Sequence, residues 1–340
     1  MDKPKNNLKP TIYTVATAHL DTTWKWSLEK TVREHIPRTL NENFALFEKY
    51  PEYSFNFEGS YRYELIEEYY PEEFEKLKGY IAAGRWHVAG SSYENGDVNI
   101  PSPEALFRNI LYGNGYFDKK FGKRSVDIFL PDCFGFGWAL PSIMRHANIY
   151  GFATQKLPYS CAFGIPFDLG RWYGVDGNYI FASPDGFDYG QTLKRVRKHH
   201  FAKIKLLENK RVYGVPFSYI FHGTGDCGGA PSDESVNTVC REIKENGKSE
   251  SDVLSASTDI IFRDMKSKLT EKQIMGLPSW NNELVATDHG AGSYTSRTIS
   301  KRWNRRGEQL ADMAERAAVA AFCIGAADYP KEKLETAWKR

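Results

Sequence analysis

The sequence predicts an α/β protein: a mainly parallel β-sheet, open or closed into a barrel, with surrounding helices and the start of a helical bundle at its C-terminal end. Three observations predict it. Short β-branched or aromatic runs alternate with longer stretches of helical period, as βαβ units do. The 340 residues give room for one large α/β domain with an appendage, or for two domains. From Ile299 onward the strands stop, and Trp303, Leu310, Met313, Ala317 and Phe322 recur near a helical period.

In chain order, strands are expected at 11–17, 53–57, 86–90, 125–130, 151–155, 179–182, 216–221, 252–256 and 283–286. Helices are expected between them at 28–50, 71–84, 103–120, 140–148 and 232–245, most opening at a Ser, Pro or Gly. Asp328-Tyr329-Pro330 breaks the C-terminal helix, and a second begins at Lys331 with Leu334 and Trp338 turned inward. The division is therefore 1–296 as the α/β domain and 297–340 as the first helices of a truncated bundle.

Composition excludes several classes. Lys and Arg number 45 against 43 Asp and Glu, a net charge of +2, which removes the main argument for a nucleic-acid binder. No run approaches the roughly 18 apolar residues of a membrane span, so neither nucleic acid nor a membrane is expected as a partner. The start, MDKPKNNLKP, has no apolar signal core. The expected compartment is the cytoplasm, or the periplasm or exterior if a leader was removed. Cys133, Cys161, Cys227, Cys240 and Cys323 are odd in number and widely spaced, so neither a disulfide framework nor a thiolate metal site is expected.

In parallel α/β folds reactive groups gather beyond the C-terminal ends of strands. After 11–17 come His19 and Asp21, two apart and able to face one ion together. After 125–130 comes Asp132 in Pro131-Asp132-Cys133-Phe134-Gly135-Phe136-Gly137-Trp138. Asp132 stands too far ahead of the next helix to be a simple cap. After 216–221 comes His222-Gly223-Thr224-Gly225-Asp226-Cys227-Gly228-Gly229, the outline of a dinucleotide loop. Asp226 would repel a pyrophosphate there, and no acidic strand end follows about 20 residues on. The alternative is that the glycines let Asp226 project into a tight site as a general acid. After 283–286 comes His289, a second imidazole candidate. The remaining histidines read as structural, with His222 open between a backbone contact and chemistry. Trp24, Phe134, Phe136, Trp138 and Tyr294 accompany the polar groups, and aromatic faces beside carboxylates suit a sugar as well as a core.

The segments HLDTTW, LPDCFGFGWALPSIM, GFATQKL, GTGDCGGAP and HGAGSYTSRTISKRWNRRGEQLADMAE together resemble family 38 glycoside hydrolases, the class II α-mannosidases of bacterial type, from about residue 11 to 340. The resemblance implies a seven-stranded barrel of mainly parallel strands. It implies a retaining α-mannosidase with one metal ion, expected to be zinc, acting on a mannose-containing oligosaccharide or glycan. His19, Asp21, Asp132 and His289 would be the metal ligands, Asp132 also the nucleophile and Asp226 the acid/base. Trp24, Lys156 and Tyr294 would contact the sugar. Many family members carry H-R-G-T-Y-T-S, whereas this chain has one more residue between His289 and Tyr294. The readings kept beside it are a metal-containing carbohydrate-binding fragment without turnover and a metal-dependent sugar deacetylase. An NAD-dependent oxidoreductase ranks far below them.

Overall fold

Ten strands form in the structure, a computed structural model that describes residues 8–160 and 164–339. They are β1 (Thr11–Ala18), β2 (Phe55–Glu58), β3 (Trp86–Ala89), β4 (Asp127–Phe129), β5 (Gly151–Ala153), β6 (Gly170–Tyr173), β7 (Tyr179–Ser183), β8 (Phe217–Thr224), β9 (Asp252–Ser255) and β10 (Ser279–Trp280). One sheet runs β3-β2-β1-β8 with β9 also on β1, and the other runs β10-β6-β7-β5-β4. Every ladder is parallel except β6–β7. The longest joins β1 to β8, from Thr11 opposite Phe217 to Ala18 opposite Thr224.

The two sheets face each other edge to edge. Ser91, just past β3, donates to the Asp127 carbonyl on β4 at 2.9 Å, and the Phe221 amide of β8 donates to the Gly186 carbonyl beyond β7 at 2.9 Å. Among the described residues no strand ladder closes the ring at these two seams. Between the sheets lies one apolar cluster: Tyr13 and Val15 from β1, Phe129 from β4, Phe181 from β7, and Tyr219 and Phe221 from β8. Residues two apart share a face of a strand, so Tyr13 and Val15 meet Tyr219 and Phe221 in register. Each such side chain contributes on the order of 2 kcal/mol by leaving water.

The expected strands are present except 283–286. There the chain makes only a two-residue antiparallel bridge between Leu284 and Phe136, because no neighbouring strand continues beside it. Two strands went unforeseen, the antiparallel β6 and the short β10, and so did the helices Ser60–Tyr69, Ile260–Lys268 and Glu271–Gly276. The expected helix 28–50 forms as Leu28–Lys30, a wide π turn Thr31–His35 and Ile36–Lys49. Pro37 has no N–H to give to the turn before it, which is where the helix widens.

Thr298–Cys323 and Lys331–Lys339 are helical, as their period predicts. They dock on the α/β body through Glu308, which accepts from the Ser102 amide at 3.1 Å, and through Glu315. The latter accepts from Arg108 at 2.5 Å and from the Trp338 indole at 3.2 Å. Among the described residues no helix is long and apolar enough to cross a membrane. Cys133 and Cys240 are buried, Cys323 is exposed, and Cys161 lies outside the described residues.

Candidate active site

β1 and β8 deliver the first part of the site side by side. Beyond their ends the two chains stay zipped. The His19 amide donates to the Thr224 carbonyl at 3.1 Å, the Asp21 amide to the Asp226 carbonyl at 2.8 Å, and the Gly228 amide to the His19 carbonyl at 2.9 Å. Gly223 (φ +153°) lies so close to β1 that a Cβ there would collide with the Thr17 carbonyl. The glycines of this loop thus serve close packing against β1 and, at Gly225, against the Tyr189 ring. From the helix Ile36–Lys49, Thr39 accepts from the Gly229 amide at 2.8 Å and Asn43 donates to its carbonyl at 2.9 Å. Arg62, 1% exposed, donates through Nε to the Leu20 carbonyl at 2.9 Å and through Nη1 to Glu94 at 2.8 Å. The His19–Asp21 turn is therefore held from both sides.

His19, Asp21 and Asp132 come together. Their ligating atoms all lie within 4.8 Å of one another. His19 Nε2 stands 3.4 Å from Asp21 Oδ1 and 4.0 Å from Asp132 Oδ2. The other ring nitrogen, Nδ1, is 2.6 Å from Oε1 of Glu58, a carboxylate fully buried at the end of β2. A carboxylate behind an imidazole fixes its tautomer and turns the far nitrogen outward, as metal sites require. Burial opposes charge on His19, but the hydrogen bonds to Asp21 and Glu58 outweigh it and push the imidazole up to about 10. The same carboxylate field favours a divalent cation, and one imidazole with two carboxylates is a donor set that fits zinc. The Lys156 ammonium, itself buried, pairs with Asp132 Oδ1.

Asp226 sits on the neighbouring loop with φ +65°, a conformation that non-glycine residues adopt rarely and that clusters at functional sites. Its Oδ1 accepts from the Tyr189 hydroxyl at 3.0 Å. The Tyr189 ring lies 5.8 Å from that of His19. Burial first, then the charges of Asp132 and Asp226, the hydrogen bond to Asp226 and the charge of Asp21, hold the Tyr189 hydroxyl well above its ordinary range. Tyr189 thus touches the fields of all three carboxylates and links the acid candidate to the metal-type trio.

His289 is not among the three clustered ligands. Its residue is exposed, on a loop rather than at a strand end, and its ring stands 6.0 Å from Phe134. Phe134 in turn has Lys156 Nζ 5.2 Å from its ring, so the His289 loop borders the site across one aromatic side chain. Tyr294 accepts from Asn99 at 3.0 Å, and Asn99 also donates to the Gly135 carbonyl at 2.8 Å. Trp24 is 55% exposed, with Lys25 over its ring and Trp26 edge-on. Trp138 donates to the Tyr173 carbonyl at 3.1 Å, while Phe136 is core. His222 is buried against Ser235 at 2.9 Å, and burial lowers it to about 3. It is a structural histidine.

Glu58, Arg62 and Tyr189 were not foreseen. Glu58 directly follows the expected strand 53–57, so the strand-end rule applied to β2 would have found it. Tyr189 follows β7 at a distance of several residues, and nothing local in Asp185–Tyr189 points to Asp226.

A family model described as "Glycosyl hydrolases family 38 N-terminal domain" matches residues 9–283. Alpha-mannosidase G of Dictyostelium discoideum is 30% identical over 299 residues, covering 86% of this chain and 26% of that protein. Alpha-mannosidase 2C1 of Homo sapiens is 29% identical over 334 residues, covering 97% of this chain and 31% of that protein. The chain spans about a quarter to a third of the length of these relatives. The crystal structure of an alpha-mannosidase from Enterococcus faecalis has the same fold, with a TM-score of 0.76 at 22% identity over 97% of this chain and 38% of that one.

Proposed function

The chain belongs to glycosyl hydrolase family 38, whose N-terminal domain it carries, and on that premise we propose that it is the catalytic domain of a retaining α-mannosidase acting on mannose-containing glycans. The observation that carries the reading is the convergence of His19, Asp21 and Asp132 beside a loop that holds Asp226 against Tyr189. Residues 1–296 would be the α/β catalytic part and 297–340 the first helices of a bundle.

Asp226 donates a proton to the glycosidic oxygen as the bond to the anomeric carbon breaks. Asp132 attacks that carbon and forms a mannosyl ester. Asp226, now ionised, takes a proton from water, the water oxygen bonds to the anomeric carbon, and the ester bond breaks to return the Asp132 carboxylate. This is the two-carboxylate retaining scheme. Lys156 anchors one Asp132 oxygen, which orients the other toward the His19 side. Trp24 would be the platform beneath the sugar, and Lys156 and Tyr294 its polar neighbours.

His19, Asp21 and Asp132 would hold a zinc ion, with His289 as fourth ligand. Such an ion, when bound, supplies positive charge that orients the cis 2- and 3-hydroxyls of mannose.

The test joins two readouts. Asp132→Ala loses essentially all turnover of an aryl α-mannoside, and His19→Ala and Asp21→Ala each lose Zn²⁺ binding by calorimetry. Turnover that persists in Asp132→Ala ends the assignment.

A further inference from the structure

The helix His200–Glu208, continued by the π turn Asn209–Tyr213, is apolar on two sides. Ala202 and Leu206 face inward and pack with Ile12, Ile220 and Val253. Phe201, Ile204 and Leu207 face away and are 58%, 45% and 54% exposed. A spacing of three places them along one outward stripe. An exposed apolar stripe marks an interaction surface. Val212, on the π turn that follows, is 53% exposed as well.

The same segment is strongly basic. Residues 194–211 hold eight Lys and Arg against one Glu, in a chain whose net charge is only +2. The two that turn inward are neutralised: Arg197 by Glu242 and Glu245, Lys205 by Asp168 and Asp185. The six that remain, Lys194, Arg195, Lys198, Lys203, Lys210 and Arg211, are all exposed, and none makes an ion pair among the described residues.

We propose that this face docks on an anionic lipid surface. Apolar side chains flanked by unpaired Lys and Arg match a bilayer interface: the stripe enters the acyl boundary while the cations meet lipid phosphates. The long Lys and Arg stems let their charges reach the headgroups while their methylenes follow the apolar stripe. A nucleic acid would satisfy the cations but leave Phe201, Ile204 and Leu207 in water. Such a peripheral contact needs no spanning helix. It would also lie beside the site, because Phe201 packs 5.9 Å from Phe187, on the loop that carries Tyr189.

The experiment is co-sedimentation of the purified chain with vesicles of equal parts phosphatidylcholine and phosphatidylglycerol, set against vesicles of phosphatidylcholine alone. Binding to the anionic vesicles is expected to be at least about tenfold stronger, and to fall steeply with added salt. Lys198→Glu with Lys203→Glu and Lys210→Glu should abolish it. Phe201→Ser with Ile204→Ser and Leu207→Ser should weaken it about tenfold or more. The exposed charge reversals should leave the circular dichroism spectrum and aryl-mannoside turnover at wild-type values. The salt titration of the wild-type chain tests the proposal without any variant. Equal binding to both vesicle types, binding indifferent to salt and to the Lys→Glu changes, or retention by a soluble polyanion with none by vesicles would overturn the proposal.

Discussion

The Tyr189 hydroxyl donates a hydrogen bond to Asp226 Oδ1 at 3.0 Å, although neither residue belongs to a strand that pairs with the other's. This contact fixes one oxygen of the proposed acid/base and leaves the other for substrate. Tyr189→Phe is expected to lower kcat for an aryl α-mannoside about tenfold or more, the scale of a hydrogen bond to a charged group, with KM nearly unchanged. A rise in KM at constant kcat would make Tyr189 a binding contact rather than a positioning residue for Asp226.

Glu58 is the residue on which the geometry of His19 rests. Its Oε1 lies 2.6 Å from Nδ1, and Oε2 is buried without a partner. Glu58→Gln should weaken Zn²⁺ binding about 10- to 100-fold, as the loss of an orienting carboxylate does. Competition with a chromophoric chelator measures this directly, and unaltered affinity would remove Glu58 from the orienting role.

Arg62 has a structural task. Buried to 1%, it binds the Leu20 carbonyl and Glu94 together. Arg62→Met leaves the Leu20 carbonyl short of its side-chain donor, while Glu94 keeps Thr22 and the Asn95 amide, and should lower stability in urea unfolding by about 1–3 kcal/mol. A loss within about 0.5 kcal/mol would mean that the turn carrying His19 and Asp21 holds itself.

A buried acid pair sets a pH dependence of stability. Asp127 on β4 is fully buried, and burial first, then the nearby charge of Asp259, push it up to about 7. A folded-state value above the unfolded one means that the folded chain binds the extra proton between about pH 4 and pH 7. The stabilisation is therefore complete below about pH 4 and is lost as pH rises through about 7. Thermal melts should show Tm falling across that window by a few degrees, and Asp127→Asn should flatten the fall. A Tm that rises over the same interval in the wild type would contradict the sign.

Much of the site was legible in the sequence because strand periodicity and the strand-end rule are local and directional. They put His19, Asp21, Asp132 and Asp226 on loops at one end of the sheet, and the structure brings the first three within 4.8 Å of one another. The same reasoning misjudged the segment before His289, which is not a strand. Residues 283–286 have the composition of a strand, yet pairing needs a neighbour, and the chain there finds only Phe136.

The α/β alternation, the helical tail and the side chains at the strand ends follow from local sequence, since each depends on residues a few positions apart. The packing of the folded chain is what sets Glu58 behind His19, Arg62 on the Leu20 carbonyl and Tyr189 on Asp226. Those partners are 39, 42 and 37 residues apart along the chain. Their meeting depends on strand order and register, which are settled by how buried faces pack together rather than by local propensity.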